Sequence, residues 1–287
     1  MMSLMSSSLI SEIVERARLS GLNVENVLRE LFQKLILYSL TVKNIERYYV
    51  FQGGTAVRLI YGSPRFSLDL DFTVINRNLE DLRRNVGELT NYLNKLLMSD
   101  GISVMKTREK ALPDEGFYRF FFVFDTINLL GRKIKIKLEL LLGKHIFKPR
   151  RVLLEIQYPF KSVFSILSKT QNQILADKVA SLAGGFHRGY IRWRDIFDIY
   201  WLVKKHNAIL EPGYFREEFG SWIETVEDLQ ELRDHLYELL KTRNFDQIRS
   251  DMRLLLSDSL LTTSMLTEYI STTINVIDKA LTVVKGE

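Results

Sequence analysis

The chain has 287 residues, a formal charge of +5, 46% apolar residues and no cysteine. That length can bury the core of one large domain or two modest ones, in a composition typical of globular proteins. The missing cysteines exclude disulfides, thiolate metal sites and a cysteine nucleophile. So mild a positive charge permits nucleotide or nucleic-acid partners without requiring them.

Nothing in the chain reaches the roughly 18 uninterrupted apolar residues of a membrane span. The start, MMSLMSSSLISEIVERARL, lacks the basic region and long apolar core of a signal peptide. A cytoplasmic protein without a membrane partner is expected.

In chain order, residues 8–40 predict two helices; Val24, Val27, Leu28, Leu31, Phe32, Leu35 and Ile36 recur close to a 3.6-residue period. YYVF and LDLDFTVI predict strands, with a short helix over 56–61 between them. A long amphipathic helix follows over 79–98. Strands are expected over 102–107, 117–127, 133–142 and 151–158. From about residue 172 the pattern is helical, with turn signals at Gly184-Gly185 and Pro212-Gly213. The expected division is N-terminal helices over 1–44, an α/β core over 45–165 and a helical C-terminal domain over 166–287.

The chemistry concentrates in QGGTAVRLIYGSPRFSLDLDFTV, residues 52–74. Strand side chains alternate faces, so Ser67, Asp69, Asp71 and Thr73 share one face, and Leu68, Leu70, Phe72 and Val74 the other. Two carboxylates about 6–7 Å apart along a strand can ligate Mg²⁺, a hard cation that prefers oxygen. A merely polar strand face is the plain alternative. Gly53 and Gly54 precede a helix, where unpaired amides and the positive dipole end suit an anion. Thr55 can cap that helix or bond an oxygen. By themselves these residues are also what an ordinary strand-to-helix turn contains.

In RKIKIKLELLL, Lys133, Lys135, Lys137 and Glu139 share a face. If this strand neighbours the Asp strand, Glu139 becomes a third metal carboxylate with Lys137 beside it. In QNQILADKVASLAGG, Lys178 falls within an apolar helical stripe. A buried ammonium is costly unless paired, so Lys178 either snorkels to water or points into a cleft toward phosphate. In RWRDIFDIYWL, Asp195 and Asp198 lie three apart. They belong to a salt-bridged helix surface, or one of them is a base or anchors an Arg or Lys. Lys144, Lys148, Arg150 and Arg151 form a basic run that either meets an RNA backbone or is a solvated loop.

Gly-Gly-Thr, then Arg-x-Ser-x-Asp-x-Asp-Phe, then Asp-Lys and Arg-Asp-x-x-Asp on later helices, resemble the AbiEii/AbiGii nucleotidyltransferase-like toxins, which include the MenT-type enzymes. The resemblance covers roughly residues 45–205. It implies an α+β, polymerase-β-like nucleotidyltransferase mixed sheet with helices, followed by a helical C-terminal domain. It also implies that Gly53, Gly54 and Thr55 hold an NTP's triphosphate, with Arg65, Ser67 and Lys137 lining the site. Asp69 and Asp71, with Glu139 as the less specific third acid, would hold Mg²⁺ or Mn²⁺. Lys178 would contact phosphate, and Glu139 or Asp195 would deprotonate the acceptor hydroxyl. The implied reaction moves NMP to an acceptor, in the MenT branch the 3′ end of tRNA. The implied partner is a cognate antitoxin protein, often a winged-helix DNA binder.

Two rivals stand beside this reading. LDLDFTV also matches the Asp-x-Asp-x-Thr of haloacid-dehalogenase-like phosphatases, with the first Asp as nucleophile. That idea leaves Gly53-Gly54 and Lys178 unexplained, and no later Gly-Asp or Asp-Asp pair completes its metal site. The other rival is a nucleotide- or partner-binding module with little turnover, against which the retained Asp pair argues.

Overall fold

Helices occupy the first stretch, as its spacing predicts. The computed structural model describes residues 9–112, 116–143, 148–158, 160–222 and 226–286. It begins with α1 (Leu9–Leu19) and α2 (Val24–Val42). Asn23 caps α2, its side chain accepting from the Asn26 amide at 3.1 Å. Next come β1 (Tyr49–Gln52), α3 (Gly53–Ile60), β2 (Leu70–Val74) and α4 (Leu79–Leu97). Asn78 and Asp81 close a reciprocal cap on α4. β3 (Val104–Leu112), β4 (Phe117–Phe124), α5 (Ile127–Leu130), β5 (Ile134–Leu142), β6 (Arg150–Ile156) and β7 (Ser162–Ser168) complete the α/β part.

The seven strands form one mixed sheet in the order β3-β4-β5-β2-β1-β7-β6. β2 runs antiparallel to β1 and parallel to β5, while β7 runs parallel to β1. One face of the sheet is apolar: Leu70, Phe72, Phe120, Phe122, Phe124, Ile136 and Leu138 are buried there. Helices α2 and α4 pack on the sheet through Leu28, Phe32 and Leu35 and through Leu82, Val86, Leu89 and Leu93. The Phe32 and Phe124 rings stack with centroids 4.2 Å apart.

The helical part holds α6 (Gln171–His187), α7 (Trp193–His206), α8 (Pro212–Trp222), α9 (Val226–Thr242), α10 (Asp246–Met252) and α11 (Thr263–Lys285). Thr170 and Gln173 form a capping box at the start of α6. No described helix is long and apolar enough to cross a membrane.

The chain divides into two compact units. The first holds the described residues of Met1–Thr55 and Ser67–Ser168; the second holds those of Ala56–Phe66 and Lys169–Glu287. The start of α3 thus belongs to the first unit and its remainder to the second.

Several local expectations change. Helix α3 starts at Gly53, not at residue 56, and β2 starts at Leu70, leaving Ser67–Asp69 outside the ladder. Gly184-Gly185 is no turn: α6 runs through both glycines, and a Cβ on Gly185 would sit 3.0 Å from Arg192 Cγ. The glycine thus lies tightly against the Arg192 side chain, which would have to give way to a methyl. Pro212-Gly213 opens α8, where a proline's missing N–H costs nothing. Strand β7 has no counterpart among the expected elements.

Candidate active site

In the first unit, β1 ends at Gln52 and the chain turns at Gly53, whose φ of +75° only glycine adopts without strain. The turn lies against β2. A Cβ on Gly53 would overlap Asp71 Oδ2 and come within 2.8 Å of Asp71 Cγ. Gln52 is the ladder partner of Asp71, and its Oε1 accepts the Thr73 hydroxyl at 2.7 Å. Thr55 is fully buried and donates its hydroxyl to the Asp69 carbonyl. The Gly-Gly-Thr turn and the Asp pair are therefore one construction.

The parallel pairing of β2 with β5 sets Asp71 beside Glu139. Lys137 Nζ bridges Asp69 Oδ2 at 2.9 Å and Glu139 Oε1 at 3.1 Å. Arg119, opposite Glu139 on β4, donates from Nη2 at 2.5 Å and from Nε at 2.8 Å. Burial opposes charge on Lys137, yet Asp69 and Glu139 outweigh it and raise the ammonium above its ordinary value. Burial likewise pushes the Glu139 carboxyl up, but Lys137 and Arg119 win and hold it below the usual range.

The donor set suits a hard divalent cation. Asp69 and Asp71 are oxygen donors, and an ammonium already stands between carboxylates of this face. Glu139 is engaged by Arg119 and Lys137. Among the described residues, no group of three or more His, Cys, Asp or Glu side chains is arranged to hold a metal. The expected trio is thus neighbouring but not closed into one metal-holding group.

The second unit gathers another set. Arg65 is 2% exposed and pairs bidentately with Asp198, Nε to Oδ1 at 2.9 Å and Nη2 to Oδ2 at 2.7 Å. Lys178 Nζ lies 2.6 Å from Asp195 Oδ1 and 2.9 Å from Asp198 Oδ2. Asp195 also accepts from Ser181 at 2.9 Å and from Arg192 Nε at 2.5 Å. Burial alone would push the Asp195 carboxyl up, but Lys178 and Arg192 drive it well below the carboxylate range. Lys178 is raised: burial works against its charge, and Asp195 and Asp198 overcome it.

Gly53, Thr55, Asp69, Asp71, Lys137 and Glu139 are thus brought together in the first unit, with Gly54 buried beside Gly53. Arg65, Lys178 and Asp195 are brought together in the second. Ser67 is half-buried, its carbonyl accepting from Gln33 Nε2 at 3.1 Å. Of the basic run, Lys144 lies outside the described residues, and Arg151 on β6 donates to Ser165 Oγ at 3.1 Å. Sequence reasoning missed Arg119, Gln52, Ser181 and Arg192. For Arg119 a signal existed: the alternation FYRFFFVF puts it with Phe117 and Phe121 on the less buried face.

In this mixed sheet the second strand carries Asp71, with Asp69 just ahead of it, against a glycine turn. Solved structures share the fold. MenT4, a nucleotidyltransferase toxin from Mycobacterium tuberculosis H37Rv, superposes with a TM-score of 0.55 at 15% identity, covering 95% of this chain and 93% of its own. A Helicobacter pylori protein described as a candidate nucleotidyltransferase gives 0.52 at 16%, covering 99% of both chains. At such identities the likeness is one of fold. No curated protein matches the sequence. The family model for the nucleotidyl transferase AbiEii toxin of type IV toxin–antitoxin systems matches residues 35–273. The chain belongs to this AbiEii family and is a nucleotidyltransferase of the toxin class. Family membership sets aside the phosphatase.

Proposed function

We propose that the chain transfers NMP from an NTP to the 3′ end of an RNA, with tRNA the first acceptor to test, in the presence of Mg²⁺ or Mn²⁺. The carrying observation is the contact of Gly53 with Asp71, which places a turn suited to phosphate against a carboxylate suited to a cation. Gly53 and Gly54 would admit the triphosphate to the start of α3. Asp69 and Asp71 would hold the divalent ion, which supplies charge neutralisation and orientation at the α-phosphate. Lys137 stands ready to pair with phosphate oxygens.

Glu139 is the acid beside Asp71 and the favoured proton acceptor for the attacking hydroxyl. A phosphate that drew Lys137 away would raise Glu139 toward a working base. Asp195, the other candidate, already accepts from three side chains. The phosphate contact expected of Lys178 would compete with Asp195 and Asp198 for its ammonium. Thr55 and Ser67 enter as residues that hold the segments beside this turn, and Arg65 as one that holds its own unit through Asp198. NTP and RNA are cytoplasmic substrates, and a cognate antitoxin protein is the partner proposed for a toxin of this family.

The test is incubation with each radiolabelled NTP, Mg²⁺ and total tRNA, run beside Asp71→Ala. Label in RNA that the variant abolishes is expected. Label on protein alone would redirect the acceptor, and no label despite NTP binding would sink the reaction.

A further inference from the structure

The sheet face that carries Asp71 and Glu139 continues across β4 and β3. Along β4, Tyr118, Phe120, Phe122 and Phe124 are buried, while Phe117, Arg119, Phe121 and Val123 are half-buried on the opposite face. Register sets Arg119 between Glu139 and Lys110, and Phe121 beside Lys137. Exposed Lys135 carries its ammonium 3.8 Å from the Phe121 ring centroid, and the Arg119 guanidinium lies 5.3 Å from that of Phe117. The acid on the β4–β5 part of this face, Glu139, is already neutralised by Arg119 and Lys137.

A solvated sheet face needs no rings, and an apolar docking face needs no cations. Rings interleaved with cations suit single-stranded nucleic acid, whose bases stack while its phosphates pair. With strands about 4.8 Å apart, the cations step away from the Asp strand to roughly 14 Å at Lys110. One NTP, its phosphates at Gly53, has no further phosphates for that row; a polynucleotide has.

We propose that this face seats the 3′-terminal nucleotides of the acceptor RNA, a base stacking on Phe121 in place of the Lys135 ammonium, which swings off the ring to meet a neighbouring phosphate as Lys110 meets another. The acceptor's chemistry rests on the reaction proposed above.

The test titrates 5′-fluorescein-labelled total tRNA with the full chain and with Phe121→Leu, Lys135→Glu and Lys110→Glu at several salt concentrations, alongside the KM for NTP. Each lysine reversal should weaken tRNA binding about tenfold and lower the salt slope by about one. Phe121→Leu should weaken it about fivefold with the slope unchanged. NTP KM should stay constant throughout. Lys135 and Lys110 are exposed, so their variants keep the test decisive should Phe121→Leu fail to fold. Wild-type tRNA affinity in all three variants would overturn the proposal while leaving the transfer reaction standing. A raised NTP KM with unchanged tRNA affinity would give the face to the NTP base and also overturn it. Loss in the lysine variants alone, with a folded Phe121→Leu at full affinity, would leave only an unselective cationic surface and count against it. Variant-sensitive tRNA binding by a chain that transfers no nucleotide would support the seat and sink the reaction.

Discussion

The two clusters of opposed charge use the same residue types and differ in burial. In the first unit, the side chains of Lys137, Asp69, Glu139 and Arg119 are 21–28% exposed. In the second, those of Arg65, Lys178, Asp195 and Asp198 are at most 8% exposed. Half-solvated charges can change partners cheaply, because water compensates whatever pairing is lost. Buried ones cannot: removing a partner strands a charge in a poorly polarisable interior. The open cluster is suited to meeting a substrate and the closed one to maintaining a shape.

The largest effect should come from the closed cluster. Asp198→Ala leaves Arg65 without its bidentate partner and should cost about 3–5 kcal/mol, read as a large drop in Tm. A melting temperature near wild type would end the distinction between the open and closed clusters. Asp71→Ala is the mirror case, with NMP transfer down at least about a hundredfold and stability within about 1 kcal/mol of wild type. A variant that unfolds would make the Asp strand structural instead. Gly53→Ala forces a left-handed backbone on alanine and drives its methyl into the Asp71 carboxylate. The strain alone is worth about 1–2 kcal/mol, and transfer should fall at least about tenfold. Undiminished activity would remove the glycine–aspartate contact from the site.

The smallest effect is a pH dependence in the second unit. Lys169 bonds Asp177 at 2.9 Å and Glu218 at 3.1 Å. Burial, then the Asp177 carboxylate, pushes Glu218 up to about 8. The folded state therefore holds a proton that the unfolded state releases near pH 4.5. This group's contribution is fully present below that value and lost as pH rises toward 8. Glu218→Gln should flatten the fall in Tm across this window by a degree or two, roughly. An unchanged slope would assign the proton elsewhere.

Much of the site was legible because it is local. The two-residue period of LDLDFTV puts Asp71 and Thr73 on one strand face, with Asp69 just ahead of β2, and the glycines before a helix mark a turn, wherever the strand lies in the sheet. The alternation of KSVFSILSK, from which β7 forms, was equally readable, yet it sits where the chain changes from strand to helix. Arg119 could be assigned to a face, but not to Glu139.

Composition and periodicity determined the plan: a cysteine-free chain with a mixed block of strands and helices, an Asp-x-Asp segment, a long helical second half and side chains assigned to faces within each element. Tertiary structure alone decided the rest. It set β2 between β1 and β5, so that Gly53, Asp71 and Glu139 converge. It also buried Lys178 against two aspartates and carried Arg65 to Asp198, 133 residues away. The physical reason is that backbone geometry fixes a side chain's direction within a few residues. Cross-strand register and burial depend on which distant segments exclude water from it.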